Sequence, residues 1–484
     1  MKLVRKYNVK IIILVLVIIS FLLSSRLMVI PGILTNNEQA QGTLPGIVVT
    51  GEATVGALGV HVSGIGDINA DGFDDFLIGA PSVWEGHSGK VYLILGRQDS
   101  SWVDFDLSQA NASFIGEQAW DWAGRWTSGV GDVNGDNYDD FAISSIFNDE
   151  GGDAAGQTYL FFGGPNTRWA HNTLLSLANA SFLGEAPGDE SGHGVYGLGD
   201  INNDSFDDIL ISGMYNDEGG TDAGQIYLIF GRPTNYWTMD LSLTQANASY
   251  IGNGDGDTLG IDAAGVGDVN NDNYSDFVVG AWVTANSIKV RKLYLILGCP
   301  ANHWSMDQPI SQANASIINE HDTSLSSMFY SLDWISGAGD VNSDGYDDFI
   351  FGAYEDDHGG NNAGQTYLFF GRSTDSWKLN LNFSHANATF ICHSADDWSG
   401  SSVSGVGDVN KDGYSDFVIG SPGENSIQSA SYKGQAYLFL GRPSNQWTSS
   451  NSLTEADRYF SGQSQEEGFG FHVSGVGDVN NDGF

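Results

Sequence analysis

The sequence contains little of what defines several common protein classes. Only two of its 484 residues are cysteine, Cys299 and Cys392, so the chain has no disulfide framework. Lys and Arg total 19 against 60 Asp and Glu, and the absence of a basic stripe argues against nucleic acid as a partner. No stretch after residue 45 keeps a 3.6-residue apolar period, which argues against a helical fold. The remainder is rich in glycine (64) and aromatics (12%) and poor in proline (10), as in an ordered, turn-rich β protein.

A long apolar run occurs at the N-terminus. Four basic residues, Lys2, Arg5, Lys6 and Lys10, precede the apolar residues 11–23. This order is typical of an export signal. As a helix the run would span roughly 20 Å, less than the roughly 30 Å of a bilayer core, but an extension to residue 30 would allow an anchor. We therefore assign residues 1–30 to a signal peptide or N-terminal membrane anchor and residues 31–45 to a linker.

A nine-residue motif, Asp-x-Asn-x-Asp-(Gly/Asn/Ser)-aromatic-x-Asp, occurs seven times. The copies start at Asp67, Asp132, Asp200, Asp268, Asp340, Asp408 and Asp478, and the seventh stops at Phe484 before its last Asp. Internal repeats with a period of tens of residues, here about 68, indicate a solenoid, a propeller or an array.

Each repeat unit contains four predicted strands. In the second unit these are residues 112–116, 124–131, 141–146 and 157–163, all short, apolar and bounded by Gly or Asp. Four strands per unit are typical of a β-propeller blade. We therefore predict an all-β fold: a seven-bladed β-propeller of four-stranded antiparallel blades over residues 46–484, with a truncated seventh blade and an N-terminal hydrophobic helix before it. The strand at residues 47–52 is expected to close the ring near residues 470–478.

The motif itself predicts a metal loop. Oxygen ligands at alternate positions of a tight loop favour Ca²⁺, and Mg²⁺ fits less well because it prefers fewer, more rigid ligands. As in the first part of an EF-hand loop, positions 1, 3 and 5 would supply side-chain oxygens, position 7 a carbonyl and position 9 a carboxylate. The predicted ligands are Asp67, Asn69, Asp71, Phe73, Asp75, Asp132, Asn134, Asp136, Tyr138, Asp140, Asp200, Asn202, Asp204, Phe206, Asp208, Asp268, Asn270, Asp272, Tyr274, Asp276, Asp340, Asn342, Asp344, Tyr346, Asp348, Asp408, Asn410, Asp412, Tyr414, Asp416, Asp478, Asn480 and Asp482.

Several Ca²⁺ ions, one per blade loop, would offset part of the net charge of −41. Position 6 of the loop must turn with φ above zero, which favours Gly and then Asn, so Ser205 in the third unit is the poorest residue there. The alternative is a set of solvated Asx-turns that hold no metal.

The motifs together resemble the FG-GAP repeat propellers, best known from integrin α-subunits. The Phe-Gly element is present as Phe469-Gly470, and the Gly-Ala-Pro element is intact at Gly79-Ala80-Pro81 and altered at Gly420-Ser421-Pro422. The second unit has lost it, with Ser144-Ser145-Ile146 in its place. The resemblance covers residues 46–484 and implies seven blades that bind Ca²⁺.

Two further repeated features concern the surface of the blades. Five sequons recur at the start of a strand, and in an exported chain they are glycosylation candidates: Asn111, Asn179, Asn247, Asn314 and Asn387. The alternative is that Asn favours the turn at that place. A Trp follows the last strand of six units, and we interpret it as a packing residue between blades, with carbohydrate stacking as the alternative: Trp102, Trp169, Trp237, Trp304, Trp377 and Trp447.

The sequence predicts a binding protein and no enzyme. It has no nucleophile elbow, phosphate loop or zinc pattern. The leading hypothesis is an exported adhesion or ligand-binding scaffold, at the cell surface or secreted, whose partner is an unknown extracellular protein or carbohydrate. The membrane would be reached through the N-terminal segment or through a C-terminal anchor outside this sequence. The alternative is the non-catalytic accessory propeller of a larger secreted hydrolase.

Overall fold

The computed structural model describes residues 9–11, 26–29, 47–51, 61–81, 88–98, 102–165, 169–285, 288–318, 334–423, 433–462 and 468–483. Within them the chain is all-β, and six blades, each a four-stranded antiparallel sheet, form a β-propeller. Helical structure within the same residues is limited to short 3₁₀ turns. In each blade the strands pair in chain order, from a first strand at the axis to a fourth strand at the rim.

The strands, from first to fourth, are Val62–Gly66, Asp75–Ala80, Lys90–Ile94 and Ala112–Ile115 in blade one; Ala123–Gly131, Asp140–Ser145, Gln157–Phe161 and Ala180–Leu183 in blade two; Gly194–Gly199, Asp208–Gly213, Gln225–Ile229 and Ala248–Ile251 in blade three; Asp262–Gly267, Asp276–Ala285, Ile288–Ile296 and Ala315–Ile318 in blade four; Ile335–Gly339, Asp348–Ala353, Gln365–Phe369 and Ala388–Ile391 in blade five; and Val403–Gly407, Asp416–Ser421, Gln435–Phe439 and Arg458–Ser461 in blade six. The 3₁₀ turns are Leu107–Gln109, Leu175–Leu177, Thr234–Tyr236, Leu243–Gln245, Ala301–His303, Ile310–Gln312, Thr374–Ser376, Phe383–His385, Ser444–Gln446 and Leu453–Glu455.

A two-residue strand from the following unit extends blades one to five at the rim. Thr173–Leu174, which belongs to the second unit, pairs in parallel with Ala112–Ile115 of blade one. The corresponding strands on blades two to five are Leu241–Ser242, Gln308–Pro309, Leu381–Asn382 and Asn451–Ser452. Each of these blades is therefore fastened to the next by backbone hydrogen bonds.

The first strands approach closely at the axis because they carry glycine. A Cβ atom on Gly129 would lie 2.7 Å from the carbonyl oxygen of Gly64 in the neighbouring blade, a distance that no real side chain tolerates. Farther from the axis, Phe114 of blade one packs against Phe141 and Phe161 of blade two, with ring centroids 5.4 and 4.8 Å apart. Small residues inside and aromatic residues outside give each blade its wedge shape.

The predicted number of blades is wrong, because the described residues form six. The seventh unit, residues 468–483, contains no strand, although its main chain lies between blades six and one. The amide of Gly475 donates to Ser404 Oγ of blade six (2.9 Å), and the amide of Asp74 of blade one donates to the carbonyl oxygen of Asp478 (3.1 Å). A strand requires a hydrogen-bonded partner, and the described residues of this unit include no neighbouring strand of the same unit.

The predicted N-terminal helix is also wrong. Val9–Ile11 and Arg26–Val29 are strands that pair with each other, and residues 12–25, which include the rest of the apolar run, lie outside the described residues. Among the described residues no helix is both long and apolar enough to cross a bilayer.

The partner of these strands is Ile47–Thr50, which the sequence assigned to ring closure. It pairs with Arg26–Val29 on one side and, in parallel, with Phe105–Asp106 on the other. The fourth strands of blades one to five make the same parallel pairing with a strand of the following unit. Val49 is fully buried in the same apolar cluster as Phe76 of blade one. Ile47–Thr50 therefore takes the place of a fourth strand before blade one, without pairing with residues 470–478.

Candidate metal centres

In blades one to six the predicted metal loop connects the first strand to the second strand, so these loops lie at the same end of the blades. In blade one the first strand ends at Gly66 and the second begins at Asp75. Six loops are described in full, and the seventh is described as far as Gly483.

The Asp at position 1 organises each loop. In blade one, Asp67 Oδ1 accepts from the amide of Asp71 (3.1 Å) and Oδ2 from the amide of Gly72 (2.7 Å). The same pair of bonds is made by Asp132, Asp200, Asp268, Asp340, Asp408 and Asp478. The Asp at position 5 accepts from the amide at position 7, as Asp71 does from Phe73 (3.1 Å). The carboxylates at positions 1 and 5 are thus held in place before any cation binds.

Two positions of each loop adopt the left-handed conformation. Position 6 has φ between 66° and 90° in all seven loops, including Ser205 at 75°, as the sequence predicted. Position 4 is also left-handed, for example Ala70 at 55° and Ser343 at 57°. The sequence analysis missed position 4 because the residues there share no common chemistry. A non-glycine residue in this conformation costs roughly 1–2 kcal/mol, so each loop is strained.

The Asp at position 9 fastens the loop to the core. Asp75 is fully buried; its Oδ2 accepts from the amide of Ile68 (3.3 Å) and its Oδ1 from the amide of Gly96 (2.7 Å). Burial raises the pKa of Asp75 to about 8, and the charges of Asp71 and Asp67 add to this effect. The corresponding pKa is also about 8 for Asp140, Asp208, Asp276 and Asp348, and about 7 for Asp416. A nearby cation would favour the ionised form of each carboxyl and so lower its pKa.

The Asn at position 3 gives the clearest indication of a cation. Its side-chain oxygen is buried without a hydrogen-bond donor in four loops, at Asn69, Asn202, Asn270 and Asn342. Buried acceptors are almost always paired, so an unpaired oxygen at the same position of four loops needs a common explanation. A cation held by the loop supplies one.

The other three loops differ at this position. In the second loop Asn134 Oδ1 accepts from Thr234 Oγ1 (3.2 Å). In the sixth and seventh loops the oxygens of Asn410 and Asn480 accept from the amides of Asp412 (2.8 Å) and Asp482 (3.2 Å). The residues present therefore fit Ca²⁺ best in the first, third, fourth and fifth loops.

The donor set is mixed. Among the described residues no three His, Cys, Asp or Glu side chains converge as ligands. Any site would need the Asn oxygen and the carbonyl at position 7 in addition to carboxylates, a mixture that suits Ca²⁺.

Position 8 of the motif was overlooked in the sequence, although it joins neighbouring loops. Asp139 of the second loop accepts, through Oδ2, the amide of Asp67 in the first loop (2.9 Å). Asp207 and Asp347 make the same contact with Asp132 and Asp268. The only signal in the sequence was that Asp recurs there, and its partner lies in a different unit.

The repeated Asn and Trp residues have structural roles. Asn111 Oδ1 accepts from the amide of Leu95 (2.9 Å), which ties the fourth strand to the third, and Asn179, Asn247, Asn314 and Asn387 do the same. Asn111 is also exposed and therefore accessible to a glycosylating enzyme, and its glycosylation stays a prediction. Trp237 is 6% exposed, donates from Nε1 to the carbonyl of Arg232 (2.7 Å) and stacks under that guanidinium at 4.4 Å. This agrees with a packing role for the Trp.

The family model of the FG-GAP repeat matches residues 59–94, 197–229, 334–369 and 399–439. The chain is 27% identical to integrin alpha-V of Gallus gallus over 245 residues, which is 48% of this chain and 21% of that protein. It is 24% identical to integrin alpha pat-2 of Caenorhabditis elegans over 229 residues (46% of this chain, 18% of that protein).

It is also 28% identical to the phosphatidylinositol-glycan-specific phospholipase D of Bos taurus over 149 residues (30% of this chain, 17% of that protein). The chain thus spans about a fifth of the length of the curated relatives it matches. Four segments of the chain match the FG-GAP repeat, the described residues form a six-bladed propeller, and integrin α-subunits are among the relatives, so these findings support an FG-GAP repeat β-propeller family.

Proposed function

We propose that this chain is an exported, Ca²⁺-binding propeller that acts as a scaffold for adhesion or ligand recognition outside the cell. Its relatives named integrin support the binding role, and the basic and apolar N-terminus supports export. The observation that carries the calcium proposal is the unpaired, buried side-chain oxygen at position 3 of four loops. The carbonyl at position 7 and the carboxylates at positions 1, 5 and 9 would complete the ligand set, and these carboxylates would have to turn toward the ion because no three of them converge in the described loops. Bound Ca²⁺ would neutralise part of each carboxylate cluster and so relieve its repulsion.

A melting experiment tests the calcium proposal. Extracellular Ca²⁺ modules bind with Kd of roughly 10⁻⁴–10⁻³ M. At about 10 mM Ca²⁺ each site with a Kd of about 1 mM adds roughly 1.4 kcal/mol to the stability of the folded state. We expect the melting temperature of the full chain to rise clearly between excess EGTA and 10 mM Ca²⁺, with Mg²⁺ as the control cation. Identical melts in EGTA and Ca²⁺ would refute the proposal.

The ligand-binding surface is proposed to lie at the end of the blades opposite the metal loops, around Trp120. Trp120 lies three residues before the first strand of blade two, is 56% exposed and has φ of 80°. The equivalent residues of the next two units are Gly188 (φ 88°) and Gly256 (φ 73°). This backbone conformation suits glycine, so a Trp there makes the folded state less stable than a glycine would. Such strain is typical of functional sites.

Binding of the full chain to a panel of extracellular matrix proteins and glycans tests this surface. Trp120→Gly is expected to lower binding to whichever ligand is found, because it removes the exposed ring and leaves the backbone in place. Leu177→Gln is the matched control. Leu177 is also exposed (68%) but lies at the rim of the propeller, where other units carry Gln245 or Gln312. Equal binding by Trp120→Gly and the unmodified chain would show that the ligand does not bind around Trp120.

The alternative function is the accessory propeller of a secreted hydrolase. The similarity to phosphatidylinositol-glycan-specific phospholipase D favours it, and the match covers only 17% of that longer protein. Either function leaves this chain without a catalytic role of its own. Determining the protein sequence that adjoins residues 1–484 in the native gene product distinguishes the two: a hydrolase module supports the accessory role, whereas β-sandwich domains support adhesion.

The route of export is part of the proposal. The N-terminal segment serves as a cleaved signal peptide or as a retained anchor, and N-terminal sequencing of the exported protein separates these outcomes. An intact N-terminus on membrane-bound protein indicates an anchor. A new N-terminus between residues 24 and 46 on released protein indicates cleavage.

A further inference from the structure

Neighbouring metal loops are connected side by side through the residue at position 8. Asp139 stands between Tyr138 and Asp140, two predicted ligands of the second loop, while its carboxylate accepts the amide of Asp67, the first predicted ligand of the first loop (2.9 Å). The residue therefore belongs to one loop by its backbone and to the preceding loop by its side chain.

The same contact recurs around the ring. Asp207 Oδ2 accepts from the amide of Asp132 (2.9 Å), Asp347 Oδ2 from the amide of Asp268 (2.9 Å) and Asp74 Oδ2 from the amide of Asp478 (2.6 Å). In the same three places the backbone amide of the position-8 residue donates to the carbonyl of the position-1 residue, at 3.3, 3.2 and 3.1 Å. Each of these three junctions is thus a reciprocal pair of hydrogen bonds.

Glycine in front of each loop makes room for this carboxylate. A Cβ atom on Gly66 would lie 2.1 Å from Asp139 Oδ2, and one on Gly131 would lie 2.0 Å from Asp207 Oδ2. Both glycines also have positive φ, 67° and 71°. The side chain of one loop therefore occupies the space directly beside the first residue of the other.

Two junctions lack the carboxylate, because the fourth and sixth units have Ser275 and Ser415 at position 8. The backbone bond remains: the amides of Ser275 and Ser415 donate to the carbonyls of Asp200 and Asp340, both at 3.1 Å. Within the described residues neither hydroxyl accepts from the preceding loop. The chain thus contains natural examples of the junction with and without its side-chain bond.

We propose that Asp at position 8 is a positioning residue that couples cation binding in adjacent loops, and that Ser at this position interrupts the coupling. This inference rests on the proposed Ca²⁺ binding. Through Asp the seventh, first, second and third loops form one coupled group, and the fourth and fifth loops form another. Ser275 separates the third loop from the fourth, and Ser415 separates the fifth from the sixth.

The physical reason is pre-organisation. A cation in the second loop fixes the backbone on both sides of Asp139, because Tyr138 and Asp140 are its ligands. The fixed Asp139 carboxylate then orders the amide of Asp67, so the first loop loses less conformational freedom when its own cation binds. Binding in one loop therefore favours binding in the loop before it, and the coupling is reciprocal.

Amide hydrogen exchange of the full chain, followed by mass spectrometry during a Ca²⁺ titration, reads each loop separately. Asp136→Ala removes a ligand of the second loop. It is expected to raise the Ca²⁺ concentration that half-protects residues 67–75 of the first loop by at least about fivefold, the lower end of typical coupling. Asp272→Ala removes the matching ligand of the fourth loop, and residues 200–208 of the third loop should keep their midpoint, because Ser275 stands at that junction.

Substitution of the junction residues themselves, Asp139 and Ser275, completes the test. When Asp139→Ser is also present, Asp136→Ala should no longer shift the Ca²⁺ midpoint of the first loop. When Ser275→Asp is present, Asp272→Ala should begin to shift the Ca²⁺ midpoint of the third loop. Melting curves verify that each variant is folded. If Ca²⁺ protects no loop, the proposed function fails. If Ca²⁺ protects the loops but Asp136→Ala leaves residues 67–75 unchanged, or if the third loop shifts as much as the first, the coupling through Asp is overturned and Ca²⁺ binding stands.

Discussion

At one end of the blades seven loops repeat the same hydrogen bonds, and at the other end the connections differ from unit to unit. Position 1 accepts from positions 5 and 6 in every metal loop. At the opposite end the residue equivalent to Trp120 is Gly188, Gly256 or Asp396 in other units. The second and third strands of blade four also extend into a long hairpin, Asp276–Ala285 and Ile288–Ile296. Repetition indicates a shared task for the metal end, and variation leaves the opposite end free for specific recognition.

The largest effect is expected from removing a buried carboxyl at the metal end. Asp348→Ala leaves the amides of Val341 and Gly371 without their acceptor, at 3.0 and 2.8 Å in the folded protein. Two buried unpaired donors cost about 3 kcal/mol or more, so the free energy of unfolding should fall by that amount in urea denaturation. Asp348→Asn keeps an acceptor and is the control. A loss below about 1 kcal/mol in Asp348→Ala would show that position 9 does not hold the loop to the core.

The next effect concerns His193, which lies at the end opposite the metal loops. Burial, followed by the charge of Arg125, lowers the pKa of His193 to about 3. Between about pH 6.5 and pH 3 the unfolded state therefore binds a proton that the folded state does not. Stability should fall with decreasing pH in this window, by up to about 1.4 kcal/mol per pH unit.

The measurement is the difference in unfolding free energy between the unmodified chain and His193→Gln from pH 7 to pH 4.5, in saturating Ca²⁺. Buried carboxyls such as Asp348 have a raised pKa and stabilise the folded state as the pH falls. Both proteins contain these carboxyls, so their contribution cancels in the difference. Parallel pH profiles of the two proteins would contradict the assignment to His193.

A smaller effect distinguishes two loops of the metal end. Ser205 and Gly345 occupy position 6 of the third and fifth loops with φ of 75° and 88°. Because serine adopts this conformation at a cost of roughly 1–2 kcal/mol, Ser205→Gly should tighten Ca²⁺ binding in the third loop and Gly345→Ser should weaken it in the fifth. Calorimetric titration measures both. If Ser205→Gly leaves the weakest site unchanged, backbone strain does not set the order of affinities.

The smallest effect is expected at Trp120, where the substitution should stabilise the folded protein. Trp120→Gly relieves a φ of 80° but adds freedom to the unfolded chain, so the net gain in unfolding free energy should be about 0.5–1 kcal/mol. Gly188→Ala, which places a side chain at φ of 88° in the next unit, should lose a similar amount. Thermal melts check both. Destabilisation by Trp120→Gly would mean that the ring packs usefully in the free protein.

Much of the fold follows from local patterns. The strand Gln157–Phe161 and the loop after Gly131 were predicted because alternation, glycine and alternating oxygen ligands act over a few residues. The motif also placed Ser205 in a left-handed turn correctly. The helix predicted from the apolar run at residues 11–23 is not found at the described edge of that run, where Val9–Ile11 pairs as a strand, because length and hydropathy alone do not reveal a strand partner.

The sequence by itself determined the repeat, the order of strands within a unit and the identity of the loop residues that suit a cation. The tertiary structure alone decided that six blades form, that Ile47–Thr50 pairs with Phe105–Asp106, that the oxygen of Asn69 stays unpaired while that of Asn134 meets Thr234, and that Asp139 bridges two loops. The reason is distance along the chain. Turn conformation and ligand spacing are set by neighbouring residues, whereas pairing between strands and loops of different units depends on how the whole ring brings remote residues together.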